Sequence, residues 1–307
     1  MPILIKGRGV RRLQRKKQNF IQGAFILMLA SLLVKVIGAF FQIPLLNMIG
    51  GKDSPAFGMF SAAYRVYTAM LMISTVGVPA ALAKMVAEAT ARGREHEVRR
   101  TVRVAGSIFI PLGAVCSVVL FLGAGTFASW IKSADSRLAV MAIAPSVLMV
   151  AVLAVFRGYY QGRSNMVPTA VSQVLESLIK LFVGIALALY FLKTTGLPEL
   201  GAAGAILGVS IGSFFAVLYI LLYYFRKSRD TRYSPFEPKV SSVGEILKSI
   251  LTFAVPVIIG SAFLSALDIV DSSVMMYRLQ GAAGVDANSA IAMKGWLGTA
   301  RKYFDLP

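Results

Sequence analysis

Two opposite charges stand one helical turn apart inside an apolar run: Glu176 and Lys180 in VLESLIKLFVG, with Gln173 on the same face. Placed at mid-membrane, an ionisable side chain costs about 2.5–3.5 kcal/mol on insertion scales, so each such residue implies a partner or a task. Other apolar runs carry their own. Lys35 lies deep in SLLVKVIGAFFQIPLLNMIGG, Arg65 in SAAYRVYTAM, Asp268 and Asp271 three apart in SALDIVDSSVMM, and Lys294, Arg301 and Lys302 near the end of the chain. Cations of this kind suit the holding of an anion, and the acids suit coupling to Na⁺ or H⁺. For Glu176 and Lys180 a second reading stays open, a self-neutralising i, i+4 pair with the acid on the favourable N-terminal side. Arg65 could snorkel to the outer headgroups, and Asp268 and Asp271 could face water at the outer end of their helix. Lys35 has no neutralising residue near it in its own run.

The same census contains no enzyme site. Cys116 is the single cysteine and His96 the single histidine, so neither a disulfide framework nor a cysteine metal site can form within the chain. His96 sits in the basic stretch ARGREHEVRR and reads as a solvated loop residue. No nucleophile with an adjacent base, no metal cluster and no phosphate-cradling glycine loop can be assembled, and no cofactor is expected.

Composition supplies the medium. Of 307 residues 57% are hydrophobic and 15% charged, which excludes a soluble domain around one core and makes the bilayer most of the solvent. A net charge of +18 would suit nucleic acid if the cations lay on an exposed polar face. They lie instead between long apolar runs. Taking about 20 apolar residues per crossing, seven runs qualify, at about 20–49, 57–86, 104–131, 138–156, 166–192, 201–225 and 249–275, and an eighth begins near 288. The first is too long for a signal peptide and is read as a retained span.

Lysine and arginine alternate sides. Twenty-one fall in the tail before residue 20 and in every second connection, including Arg157 and Arg163 after the fourth span; five fall in the others. That bias predicts a cytoplasmic N-terminus. Residues 1–19 form a basic cytoplasmic tail, 20–226 a six-helix N-terminal lobe, 227–247 a polar cytoplasmic connection, and 248–307 the start of a second lobe. Ending at GWLGTARKYFDLP, within its eighth apolar segment, the chain is expected to be a fragment of a longer protein. Pro44, Pro79, Pro111, Pro145, Pro168 and Pro256 interrupt spans, as kinked helices around an aqueous cavity would require. Gly204, Gly208 and Gly212, four apart, predict close helix packing.

The stretch FRGYYQGRSNMVPTAVSQVLESLIKLFVG resembles the fourth-to-fifth helix region of the stage V sporulation protein B-like family of polysaccharide-export flippases, in the multidrug/oligosaccharidyl-lipid/polysaccharide exporter (MOP) superfamily. LASLLVKVIGAFFQIPLLNMIGG, YRVYTAMLMISTVGVPAALAKMVAE and SALDIVDSSVMMYRL fit its first, second and seventh helices in order. The resemblance covers nearly all of the chain and a little over half of such a protein, whose 12 to 14 helices form two six-helix lobes around a cavity. It implies an all-α, MATE-like membrane fold and the flipping of an undecaprenyl-pyrophosphate-linked saccharide. By position, Lys35, Arg65 and Lys302, with Arg301 beside it, match cavity cations that hold the pyrophosphate in the lipid II flippase branch. Phe41 falls where that branch has another arginine.

These readings converge on a multi-pass plasma-membrane transporter of a lipid-linked glycan by alternating access. Lys35, Arg65, Arg301 and Lys302 would bind the diphosphate, and Gln173, Glu176, Lys180, Asp268 and Asp271 are the cavity or ion-coupling candidates. Membrane lipids and cell-wall synthesis enzymes are the expected partners, with no nucleic acid. Coupling to Na⁺, to H⁺ or to the membrane potential is left open. Three alternatives remain: a cation-coupled multidrug exporter on the same fold, a membrane scaffold recruiting glycan-synthesis enzymes, and an inactive truncated product.

Overall fold

The structure, a computed structural model, describes residues 20–48, 59–60, 63–64, 77–130, 136–228, 242–278, 281 and 284. Some side chains within its first and last helices, Asp268 and Asp271 among them, lie outside that description, as do Arg65, Lys294, Arg301 and Lys302 altogether.

All regular structure among the described residues is helical: α1 (Phe20–Met48), α2 (Val78–Ala91), α3 (Glu95–Leu122), α4 (Ala124–Trp130), α5 (Arg137–Gly162), α6 (Val167–Thr195), α7 (Pro198–Ser228) and α8 (Val243–Tyr277). Five of them, α1, α3, α5, α6 and α7, are long and apolar enough to cross a membrane, and the chain is a multi-pass membrane protein. The helices run past the hydrophobic limits read from sequence because a helix satisfies its own backbone and continues into water until a cap stops it. Thus α3 begins at Glu95, and His96 lies exposed on its first turn, not in a loop. At the far end α3 stops before Gly123, and the short α4 carries the rest of the third span.

Local chemistry sets the ends. Gly77, at φ 85°, precedes α2, and Gly196, at φ 69°, ends α6, conformations that glycine adopts without strain. Ser242 and Glu245 open α8 as a reciprocal capping box: the Ser242 N–H donates to Glu245 Oε2 (2.8 Å) and the Glu245 N–H to Ser242 Oγ (3.2 Å). Of the prolines expected to interrupt spans, Pro111, Pro145 and Pro256 are internal, whereas Pro79 and Pro168 stand in the opening turns of α2 and α6, where a missing N–H is harmless. Around Pro145 two serines of neighbouring helices reach carbonyls of α5 from either side. Ser210 on α7 donates to the Ala142 carbonyl (2.6 Å) and Ser117 on α3 to that of Ala144 (2.8 Å).

α5 is the centre of the lobe, with 61% of its most apolar window buried against 17% for α1 and for α6. It packs on α7, α3 and α2; α7 packs on α6, and α6 on α1. In a bilayer the lipid is as apolar as leucine, so close approach of backbones at small residues holds such helices together. The expected glycine stripe serves this end. A Cβ on Gly212 would lie 2.6 Å from the Glu176 carbonyl oxygen, one on Gly204 2.8 Å from that of Leu187, and one on Gly208 would collide with Gly184. Gly158 and Gly162 on α5 admit α2 in the same way, at Pro79 and Ala83.

α8 leans on α2 and α3. Ile246 and Ile250 are buried in a cluster with Val78, Leu82, Val98 and Val102, and Lys84 Nζ stands 3.8 Å from the centroid of the Phe253 ring. Residues 243–247, expected in the connection between lobes, are therefore the first turn of a packed helix.

Candidate functional site

The one turn that joins α5 to α6 fixes the polar centre of the lobe. α5 ends with the Asn165 N–H on the Tyr160 carbonyl (3.0 Å) and Ser164 at φ 52°, a reversal of the kind that satisfies terminal carbonyls. Two helices folded back about this turn bring residue 157 level with residue 172, and an arginine reaches about one turn further. Arg157 uses that reach. Its Nε donates to Ser172 Oγ (3.0 Å) and its Nη2 to Glu176 Oε2 (2.8 Å), while Ser213 on α7 donates to Glu176 Oε1 (2.7 Å). The Ser172 hydroxyl in turn donates to the Thr169 carbonyl (2.8 Å). Ser172 and Ser213 are fully buried, and the Arg157 and Glu176 side chains retain 15% and 20% of their exposure.

This arrangement differs from the self-neutralising pair read from sequence for Glu176 and Lys180. The ion-pair partner of Glu176 is Arg157, assigned from sequence to a cytoplasmic turn, and not Lys180. A helical wheel pairs residues within one helix, but here the hairpin geometry offers a guanidinium, which binds carboxylate with directional donors. With both carboxylate oxygens engaged, Glu176 ties α5, α6 and α7 together at their junction. α5 and α6 otherwise touch little.

Lys180 extends the other way. Its ammonium lies 5.9 Å from the ring centroid of Phe41 on α1, and the residue is half-buried. Gln173 shares the face, and its Oε1 is buried with no hydrogen-bond partner. On α1, Ala30, Ile37, Phe41 and Leu45 are buried, whereas Lys35 is exposed on the side away from that stripe. The structure thus brings Gln173, Glu176 and Lys180 together and sets Lys35 on an outward face. Arg65, Arg301, Lys302, Asp268 and Asp271 lie outside the described side chains.

A second clasp stands at the end of the bundle where α5 stops. Arg163 Nη1 donates to Glu95 Oε1 (2.8 Å) and Nη2 to the other oxygen of the same carboxylate, while its guanidinium carbon lies 5.4 Å from the Tyr159 ring centroid. Burial works against the charge on Arg163, but Tyr159 and Glu95 outweigh it and the guanidinium pKa stays above its ordinary value. Tyr160, Tyr219, Tyr223 and Tyr224 pack beside it, an aromatic grouping of the kind favoured at a membrane interface.

At the opposite end lies a cleft of about 340 Å³ lined by Phe121, Leu138, Met141, Pro145, Phe191 and Leu207 among others. Its lining is apolar throughout, so it offers an acyl chain room and an anion nothing. No group of three or more potential metal ligands occurs among the described residues.

Sequence reasoning missed Arg157. The signal was the four-residue spacing of Gly158 and Gly162, which continues the packing pattern of α5 past the first charge and so places Arg157 inside the helix.

Comparison with known proteins gives a consistent picture. The family described as "Polysaccharide biosynthesis protein" matches residues 20–295. Three proteins of Bacillus subtilis (strain 168) are similar: the uncharacterized membrane protein YabM, 27% identical over 91% of this chain and 51% of its own; stage V sporulation protein B, 27% over 95% and 55%; and the lipid II flippase MurJ, 26% over 67% and 39%. The chain spans about half the length of the first two. Among solved structures, a MOP superfamily transporter from Pyrococcus furiosus superposes with TM-score 0.63 at 17% identity, covering 92% of this chain and 61% of that one. A MATE protein in complex with MaD3S gives 0.67 at 14%, covering 91% and 61%. At such identities the likeness is one of fold, and it is the MATE-like fold expected from sequence.

Proposed function

This chain belongs to the polysaccharide biosynthesis protein family, and from that premise we propose that the protein flips an undecaprenyl-pyrophosphate-linked saccharide, a lipid II-like or other cell-wall glycan precursor, outward across the plasma membrane by alternating access between two lobes. The observation that carries the reading is Lys35. It stands at the middle of α1, more than a dozen residues from Phe20 and from Met48, too deep to snorkel with ease, and on the exposed side of that helix. In this reading that exposed side faces the space a second lobe would enclose. Lys35, together with Arg65, Arg301 and Lys302, would hold the diphosphate by charge-assisted hydrogen bonds, while the isoprenoid stays in lipid. The N-terminus is cytoplasmic in this reading, as the positive-inside bias requires, and the helices up to α7 and those from α8 onward belong to separate lobes.

The similarity to a protein named lipid II flippase supports the substrate class. The rival, a cation-coupled multidrug exporter, needs a carboxylate available to bind a cation, and Glu176 has both oxygens engaged by Arg157 and Ser213. The deciding experiment is flipping of a fluorescent lipid-linked precursor by the full-length protein in vesicles. Lys35→Ala with Arg65→Ala should reduce the rate about tenfold or more, the cost of losing charged contacts to the diphosphate. An undiminished rate would remove this site assignment, and absence of flipping by the unaltered protein would remove the function.

A further inference from the structure

We propose that Lys180 is a substrate contact, the inner anion-binding side chain of the first lobe; this rests on the flippase reading above and adds a residue to its site. The argument begins with charge. Glu176 has both oxygens bound, one to Arg157 at 2.8 Å and the other to Ser213 at 2.7 Å. The acid and base on α6 therefore do not cancel, and the positive charge of Lys180 is left over. Among the described residues no carboxylate lies within ion-pair distance of it, and its one aromatic contact, with Phe41 at 5.9 Å, stands at the outer limit of a cation–π interaction.

Position closes the usual escape. Lys180 is the fourteenth of the 29 residues of α6, about 20 Å from either end at 1.5 Å per residue, beyond the reach of a lysine stem to either headgroup layer. Nor does it face lipid. The exposed stripe of α6 runs through Val171, Leu178 and Phe182, and a residue two positions before Phe182 points to the opposite side. There Gly208 and Gly212 of α7 pack on the Lys180 backbone, and the side chain runs towards α1. An uncompensated cation at mid-membrane is unfavourable unless something anionic visits it. Partial exposure leaves the ammonium accessible. Gln173 Oε1, two turns away on the same face, is buried without a partner, and a rotation of that side chain would present an acceptor to a hydroxyl. Anionic oxygens for Lys180 and hydroxyl groups for Gln173 together describe a sugar diphosphate.

The test uses the full-length protein in detergent micelles with undecaprenyl diphosphate as probe. Wild-type protein should bind it, Lys180→Gln about tenfold or more weakly, and Lys180→Arg within about threefold of wild type. Because Lys180 has no ion-pair partner among the described residues and its contact with Phe41 stands at the outer limit, Lys180→Gln should unfold at a temperature no lower than wild type. Binding by Lys180→Gln equal to wild type overturns the proposal and leaves the flippase reading standing. A lowered unfolding temperature, or failure of Lys180→Gln to accumulate as folded protein, marks a structural lysine and also overturns it. Absence of binding by the wild-type protein overturns both.

Discussion

Glu176 and Arg157 form a pair that neither residue can leave cheaply. Removing one member of a buried pair strands the other's charge, whereas replacing both with apolar side chains of similar volume is close to neutral. Arg157→Met should therefore lower stability by up to about 3 kcal/mol, the lower edge of the range for buried pairs, since the side chains keep 15% and 20% exposure. The double variant Arg157→Met, Glu176→Met should recover most of that loss. Thermal unfolding of the three proteins in detergent checks this; a double variant as unstable as the single one would mean that the carboxylate is not what Arg157 serves. The importance of Glu176 was legible in the sequence because a charge in an apolar run stands out from composition alone. Its partner was not, because helical periodicity reports only neighbours on the same helix. The contact between Arg157 and Glu176 depends on a hairpin whose turn geometry involves Ser164 in a left-handed conformation, which a serine does not advertise.

Among the elements, α6 and α7 make the tightest contact in the lobe, and its cause is the absence of side chains. Gly208 faces Gly184 so closely that no Cβ fits between them, so Gly208→Leu must separate the two helices or fail to fold. A glycine can also be replaced harmlessly where nothing surrounds it. Gly244, in the first turn of α8, has no atom within 4 Å of a built Cβ, and Gly244→Ala should be neutral or stabilise by about 0.4–1 kcal/mol through the unfolded chain. The fraction of monodisperse protein recovered after extraction should drop sharply for Gly208→Leu and stay unchanged for Gly244→Ala; equal recovery would show that α6 and α7 are not held at this contact. Spans and their close packing were legible because both are written in local spacing: about 20 apolar residues, or glycines every fourth position. The helix ends were not, since charged residues such as Glu95 and Arg163 enter helices and pair across them, and a hydrophobicity count stops at the first charge. Pro79 and Pro168 show the same limit, for proline opens a helix as readily as it breaks one.

At the scale of the whole molecule the proposed function raises the question of what would drive a bulky anion outward. Glu176 was the first-lobe candidate for cation coupling, and its engagement by Arg157 and Ser213 leaves that lobe, among its described residues, with more fixed positive charge than negative along α1 and α6. On the proposed reading these cations hold the diphosphate, and among the described residues of α1 and α6 no carboxylate is left unengaged for Na⁺ or H⁺. The membrane potential is then the economical source. Moving one net negative charge outward down an inside-negative potential of 100 mV gains about 2.3 kcal/mol, provided the lysines stay fixed in the membrane frame while the anion moves. Full-length protein in vesicles, with a potassium diffusion potential set in either direction and Na⁺ and pH equal on both sides, should export labelled precursor faster when the compartment it leaves is negative. Reversing the potential should slow export, and Glu176→Gln, where it folds, should leave the voltage dependence intact. Rates indifferent to voltage but dependent on a Na⁺ or proton gradient would instead assign the drive to a carboxylate elsewhere, with Asp268 and Asp271 on α8 the first to substitute.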